Sequence, residues 1–382
     1  MPTFHRPVRT PSSPSPARRC AASWLLALLG AACGCKPPAS DDRSSTATNS
    51  TTSGHAGVPS SGSSASTGAG SSDAGGTAEP PECGSGASCA CGTLGCACGP
   101  DGVCSEGACN PDTGTCTLEQ DGMVRVPAGP FWMGCREGVD TDASSGPCPK
   151  TQLPYRQVTL DAFWIDRLEV TKGSYRLCIA AGVCAAPPRW DAEWYKDGTF
   201  VPGQDDMPVA SVTWTQANTY CAWLGKRLPS DAEWEKAARG TDGRKYPWGS
   251  TEPTCEHANF RPWDIAGVKP GEACPYRAMF ETLTPVGMFC RRGASPYGAC
   301  DMSGNVLEWA ADGYDFAGYE GLPAEDPLRE PTEGPVSRRG SGWGAWTLSQ
   351  GGYSLRTSQR QGGGRDDLNE TLETGFRCAR SG

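Results

Sequence analysis

MPVASVTWTQANTYCAWLGKRLPSDAEWEKAARG, residues Met207 to Gly240, encodes two helices in succession. After PVASVTW, Ala217, Tyr220, Cys221 and Leu224 recur at helical spacing, which predicts one face turned toward a core. Gly225 and Pro229 end that run. The second helix has the stronger local code. Ser230 and Glu233 make a Ser-x-x-Glu capping box, whose hydroxyl and carboxylate satisfy backbone N–H groups that the first helical turn leaves without partners. Trp234, Ala237 and Ala238 supply its apolar face, and Gly240 is its natural C-terminal stop.

On the N-terminal side, VRVPAG (Val124 to Gly129) and FWMG (Phe131 to Gly134) read as strand, turn and strand. VTLDAFWID (Val158 to Asp166) reads as one further strand. A helix capped by Thr171 follows, with Tyr175, Leu177, Cys178 and Ala181 as apolar positions and Gly182 as its stop. Beyond residue 240 the chain turns to Gly, Pro and aromatic segments with few periodic runs. Residues 119–382 therefore predict one α+β domain with a few helices, short strands and long irregular loops. Disulfides, and metals where present, hold such loops. All of the 13 tryptophans except Trp24 fall in this part.

Upstream lies a different kind of chain. Cys83, Cys89, Cys91, Cys96, Cys98, Cys104, Cys109 and Cys116 crowd residues 83–118, with little besides Val103 and Leu94 to form a core. Disulfides hold such a mini-module together in an oxidising compartment. Zinc held by Cys-x-Cys pairs is the rival reading, and the pairing itself is not legible. Residues 36–82 are Ser, Thr, Gly, Ala and Pro with almost nothing apolar but Val58, so they predict a disordered tether. Residues 1–35 carry Arg18-Arg19, then the apolar run CAASWLLALLGAAC from Cys20 to Cys33. Positive flank, short apolar core and small residues form the pattern of an export signal, too short to span a membrane comfortably. GAAC (Gly30 to Cys33) resembles a bacterial lipoprotein site with Cys33 as the lipidated residue, although Gly30 replaces the usual large aliphatic residue. Cys35 is the second candidate. The expectation is an exported bacterial protein, either anchored by lipid and facing the periplasm or the outside, or secreted.

Composition excludes several functions. Lys plus Arg is 34 and Asp plus Glu is 43, for a formal net charge of -9. No electrostatic case for nucleic acid exists in that balance. Histidine is nearly absent, and of the 3 only His257 lies in the domain, so a site built on several imidazoles has no ligands. Of the 21 cysteines, ten lie in the domain: Cys135, Cys148, Cys178, Cys184, Cys221, Cys255, Cys274, Cys290, Cys300 and Cys378. An even number in an exported chain predicts five disulfides, and the close pairs Cys178/Cys184 and Cys290/Cys300 make natural small staples. No Cys-x-x-Cys lies among them, which argues against thiol exchange chemistry. Phosphate loop, serine-hydrolase elbow and HExxH motifs are all missing.

Seven phrases stand in order: MVRVPAGPFWMG (Met123 to Gly134), FWIDRLEVT (Phe163 to Thr171), the Met207 to Gly240 stretch, YPWG (Tyr246 to Gly249), GNVLEW (Gly304 to Trp309), RGSGW (Arg339 to Trp343) and TGFRCAR (Thr374 to Arg380). Together they resemble the formylglycine-generating, sulfatase-modifying-factor family. That resemblance implies a mixed α/β fold related to C-type lectins and low in regular structure. It also implies a disulfide between Cys221 and Cys378.

Active members of that family oxidise a sulfatase cysteine to formylglycine with copper(I) held by two cysteines, because a soft cuprous ion needs thiolates. In this sequence the two positions fall near Thr347 and Gly352, and the whole span from 301 to 377 contains no cysteine. A related branch holds iron on three histidines, which His257 alone cannot supply. Neither copper nor iron is expected. DMSGNVLEW (Asp301 to Trp309) resembles the family's structural calcium loop, which implies side-chain oxygens from Asp301 and Glu308 and carbonyls from Gly304 and Val306. The alternative is an ordinary Asp-capped turn with Glu308 in solvent. A second, weaker calcium position would use Asn259 and the Phe260 carbonyl, but its acidic partner falls near Ala278.

Trp343, Trp346, Arg356 and Arg360, with Arg377, lie where the family's substrate groove is lined. Aromatics and guanidinium groups suit an extended peptide or a glycan. The opposed reading makes them core packing and internal ion pairs. The leading expectation is an exported, membrane-tethered accessory or binding protein without the cysteine oxidase chemistry. The alternatives are an enzyme of another reaction class in the same groove, and a purely structural envelope component. Nothing in the sequence sets the oligomeric state.

Overall fold

The computed structural model of the chain describes residues 107–110, 114–141, 146–187, 195–196, 199–200, 203–260, 283–343, 355–367 and 373–382. The signal segment with Cys33 and Cys35, the 36–82 linker and most of the Cys-rich module lie outside the described residues.

The strands, in order, are β1 (Ala108–Asn110), β2 (Thr115–Thr117), β3 (Glu119–Gln120), β4 (Met123–Val126), β5 (Gly129–Met133), β6 (Arg156–Leu160) and β7 (Phe163–Asp166). Helix α1 (Lys172–Ala180) follows, then the short strands β8 (Tyr195–Lys196) and β9 (Thr199–Phe200). After them come helices α2 (Trp214–Trp223), α3 (Asp231–Arg239) and the single turn α4 (Cys290–Gly293). The chain closes with β10 (Leu307–Gly313), β11 (Val336–Arg339), β12 (Arg360–Gly363), β13 (Thr374–Gly375) and β14 (Ala379–Ser381). Two four-stranded sheets organise the domain, in orders β12-β11-β10-β13 and β14-β7-β4-β3. Only β10 with β13 is parallel in them.

The segment 158–166 forms two strands, not one. β6 pairs with β5 while β7 pairs with β4 and β14, so the chain changes sheet at Asp161 and Ala162. Asp161 and Ala162, both poor strand formers, mark the break, but which sheet each half joins depends on pairing partners distant in sequence. The Asp161 amide donates to Asp326 Oδ1 at 2.9 Å, which fixes the corner.

The starts of α1, α2 and α3 follow the local code, whereas the single turn α4 has no side-chain cap. The Thr171 hydroxyl accepts from the Ser174 amide at 3.1 Å. Thr213 with Gln216, and Ser230 with Glu233, form reciprocal capping boxes. Of the predicted apolar positions, Tyr175, Cys178, Ala217, Tyr220 and Cys221 are buried, but Leu177 is 62% exposed and Leu224 43%. α3 departs from amphipathic expectation altogether. Every one of its residues is buried, Asp231, Glu235 and Arg239 included.

One core packs Val124, Val126, Phe131, Val158, Phe163 and Ile165 against Trp234, Ala237 and Ala238 of α3. A second joins α1 and α2 to Trp309 and Phe376. There Tyr175 and Tyr220 stack at 5.5 Å and Phe376 meets both edge-on. Disulfides link Cys135–Cys148, Cys178–Cys184, Cys221–Cys378 and Cys290–Cys300, and Cys109, Cys116 and Cys255 are also disulfide-bonded. The Cys221–Cys378 bond ties α2 to the last strands, as the resemblance implied.

Candidate functional site

The loop 301–306 delivers the chain into β10. Asp301, Gly304 and Asn305 all have positive φ, at 55°, 89° and 59°. A Cβ on Gly304 would stand 2.4 Å from the Asn259 carbonyl oxygen, so glycine there lets the two loops touch. The Asn305 amide donates to that same carbonyl at 2.9 Å. The Asn305 side chain then donates to Glu169 Oε2 at 3.0 Å and accepts from the Thr284 amide at 3.0 Å. Its carbonyl accepts from the Trp343 amide at 2.8 Å. One asparagine thus joins both calcium-like loops to the start of the groove segment.

Three buried carboxylates gather here with one guanidinium. Glu308 Oε1 accepts from Arg377 Nη2, and Glu308 Oε2 from Arg377 Nε and Trp234 Nε1, all at 2.7 Å. Arg377 completes its five donors on the carbonyls of Asp166, Arg167 and Cys300. Glu169 and Asp301 complete the set, and both are buried. When all are ionised, three negative charges face one positive charge, a deficit that needs two protons or one divalent cation. Burial, with the fields of Asp301 and Glu308, drives the Glu169 carboxyl well above the ordinary range. Burial also lifts Asp301 to about 6, against the lowering effect of the Gly287 amide. Glu169 Oε1 and Asp301 Oδ1 are buried without a hydrogen-bond partner among the described residues.

This donor set fits a hard cation: buried anionic oxygens, a charge deficit and a tight loop of carbonyls. Among the described residues no three His, Cys, Asp or Glu side chains are grouped as a metal cage, so backbone carbonyls such as those of Gly304 and Val306 must supply much of any coordination. Glu308 is not in solvent. It already accepts three strong hydrogen bonds, so its contribution is negative charge more than a vacant oxygen. Glu169, in FWIDRLEVT, escaped the sequence reading. Its only signal was an acidic residue between Leu168 and Val170, a few residues past the end of β7. Asn259 is buried, and Phe260 packs with Tyr246, Ala258 and Leu355; Ala278 lies outside the described residues.

The groove residues separate. Trp343 is half-buried, while Trp346, Thr347 and Gly352 lie outside the described residues. Arg360 borders a cleft of about 440 Å³ with Tyr314, Phe316 and residues 361–364, but its guanidinium is directed inward. It is buried between the rings of Tyr314 and Tyr319, at 4.8 and 4.7 Å, and pairs with Asp231 at 2.6 Å. Arg356 is buried, and its charge acts on the Tyr246 hydroxyl. Arg377 belongs to Glu308. Arg360 and Arg377 form internal ion pairs, because a buried guanidinium requires carboxylate or carbonyl partners.

Arg360 belongs to a wider network under α3. Arg339 reaches Asp231 at 2.8 Å and Glu235 at 3.1 Å, and Arg239 reaches Asp140 at 3.1 Å. Asp312 accepts from the amides of Asp231 and Arg329 at 2.7 and 2.9 Å. Burial, then the Asp231 charge, pushes its carboxyl up to about 7. With Asp312 protonated, the carboxylates of Asp140, Asp231 and Glu235 balance Arg239, Arg339 and Arg360. His257 takes no part in either cluster. It stacks on Trp248 at 4.7 Å, and its Nδ1 accepts from the Thr254 amide.

Comparison with known proteins agrees with this architecture. The profile of the sulfatase-modifying factor enzyme 1-like domain matches residues 110–382. The inactive C-alpha-formylglycine-generating enzyme 2 of Mus musculus is 29% identical over 300 residues, covering 68% of this chain and 85% of its own length. The formylglycine-generating enzyme of Thermomonospora curvata is 29% identical over 306 residues, covering 68% of this chain and 93% of its own. Among solved structures, PvdO from Pseudomonas aeruginosa superposes with a TM-score of 0.51 at 26% identity, covering 68% of this chain and 94% of its own.

Proposed function

Because the chain belongs to the sulfatase-modifying factor enzyme 1-like family, we propose that it uses this scaffold to bind a ligand and not to oxidise a substrate cysteine. One observation carries the proposal. The span from 301 to 377, where the copper-binding cysteines would stand, contains no cysteine. The cysteines among the described residues are all in disulfides and offer no thiolate pair. Similarity to a relative whose name includes "inactive" supports the reading.

In this proposal the protein is exported, is tethered by lipid on Cys33, and holds an extended peptide or a glycan beside Trp343 and Trp346. Calcium sits against Glu169, Asp301 and the carbonyls of Gly304 and Val306. Its contribution is charge: it offsets the buried carboxylates and fixes the loop that carries Asn305. Asn305 in turn orients Trp343 through the backbone hydrogen bond.

Metal analysis together with oxygen uptake tests the reading. Full chain with intact disulfides is exposed to calcium, copper and iron in air and then dialysed. One equivalent of calcium, no redox metal and no oxygen uptake with a cysteine-bearing sulfatase peptide is the expected result. Stoichiometric copper with oxygen uptake overturns it.

A further inference from the structure

The cleft beside Arg360 opens at β12, the edge strand of the β12-β11-β10-β13 sheet. Its volume of about 440 Å³ is within the range of about 300–1,000 Å³ usual for ligand sites. Tyr314, Phe316 and Pro335 line it together with Gln361 and glycines 362–364. Phe316 is 71% exposed, the highest value for a large apolar side chain among the described residues. A single exposed apolar side chain is ordinary. This one is held in place, because the Tyr314 ring meets it edge-on, with centroids 5.2 Å apart and planes at 87°.

Tyr314 is fixed in turn. The Arg360 guanidinium lies 4.8 Å from its ring centroid, and a Cβ on Gly362 would stand 2.6 Å from its Cδ1. The Tyr314 amide donates to the Pro335 carbonyl at 2.8 Å. Glycine at 362 therefore lets the strand close on the ring, and the aromatic corner needs no ligand to assemble it.

Charge narrows the class of ligand. Among the described residues no carboxylate lines this cleft, and its one cation, Arg360, is buried and paired with Asp231 at 2.6 Å. The remaining polar side-chain groups are neutral, the Tyr314 hydroxyl and the Gln361 carboxamide. Neither makes a hydrogen bond among the described residues. A charged ligand finds no free counter-charge here, and a wholly apolar one would cover these groups without partners. A proline-rich peptide stacks on aromatic rings but brings carbonyl acceptors and few donors, which leaves the acceptor oxygens of both groups unmatched. A sugar ring supplies both features. Its C–H bonds meet the negative face of an aromatic ring, and its hydroxyls both donate and accept.

We propose that this cleft binds a neutral glycan, with one sugar ring stacked on Phe316 and its hydroxyls on Gln361 and Tyr314. Trp343 does not line the cleft, and Phe316 has no part in the function proposed for the groove beside Trp343. The two readings can therefore fail separately.

Isothermal titration calorimetry of the full chain, disulfides intact, with cellohexaose, maltohexaose and chitohexaose tests the inference. Saturable binding of at least one is expected, with a Kd of about 0.1–1 mM that added salt leaves almost unchanged. Phe316→Ala should lower that affinity about tenfold and Gln361→Ala about threefold, both with the melting temperature retained. Trp223→Ala removes an exposed ring on α2 and should leave the affinity unchanged. The proposal is overturned by absence of saturable binding of all these sugars up to about 10 mM, or by unchanged affinity in Phe316→Ala and Gln361→Ala. An equal loss in Trp223→Ala also overturns it. So does tighter binding of hexaproline that Phe316→Ala abolishes, which would assign the cleft to a peptide.

Discussion

Glu308 and Arg377 grip each other in a buried bidentate pair, with Oε1–Nη2 and Oε2–Nε both 2.7 Å. The pair fastens GNVLEW to TGFRC, two phrases 69 residues apart, at the point where β10 meets β13. It also anchors Trp234 of α3 through the indole N–H. Arg377→Met leaves Glu308 charged and buried beside Glu169 and Asp301. The expected cost is about 3–5 kcal/mol in urea unfolding. Adding Glu308→Leu should recover part of that loss, so the double variant falls short of the sum of the singles.

The Cys221–Cys378 disulfide closes a sequence separation of 157 residues, whereas Cys178–Cys184 closes one of 6. Loop-closure entropy grows with the logarithm of that length, giving about 5 kcal/mol for the long loop and about 2 kcal/mol for the short one. Paired Cys→Ser replacement should therefore lower stability more at 221 and 378 than at 178 and 184. Equal losses in calorimetry would contradict this ordering.

Asp312 predicts a pH dependence of stability. The unfolded chain ionises this residue near pH 4, while the folded chain keeps its proton to about 7. Between those values unfolding releases a proton. The stabilisation from the neutral carboxyl is complete below about pH 4 and is lost as pH rises through about 7. Urea midpoints should fall between about pH 4 and pH 7, with a smaller fall in Asp312→Asn. That variant also loses stability overall, because its amide group faces a backbone N–H of Asp231 or Arg329.

Calcium should raise the melting temperature of the full chain, since a ligand that binds only the folded state stabilises it in proportion to RT ln(1 + [L]/Kd). Glu169→Gln and Asp301→Asn should abolish the calcium shift. They should also melt near the calcium-free wild type, because each removes one uncompensated buried charge. A calcium shift that survives both substitutions would locate the ion elsewhere.

The helix starts were legible because capping is a short-range code. Thr171 and Ser230 act on amides three residues away, while the equivalent cap at Thr213 emerged only in the structure. The buried charges of α3 were not. DAEWEKAAR reads as an exposed polar face around Trp234, yet Asp231 and Glu235 meet Arg339 from more than a hundred residues downstream. Glu169 was missed for the same reason: its neighbours Asp301 and Asn305 approach only in the folded chain. Leu177 shows the converse, an apolar residue at helical spacing that has no surface to pack against.

From the amino-acid order alone followed the capped helices, the family likeness and the lack of copper-binding cysteines. Each is local, or a matter of which residue types are present. Folding alone decided that VTLDAFWID divides between two sheets, that Arg360 is enclosed by Tyr314, Tyr319 and Asp231, and that Glu169 joins the acidic cluster. The physical reason is common to all three. The cost of burying a charge or changing sheet is offset by partners far away in sequence, and only the tertiary structure brings those partners within reach.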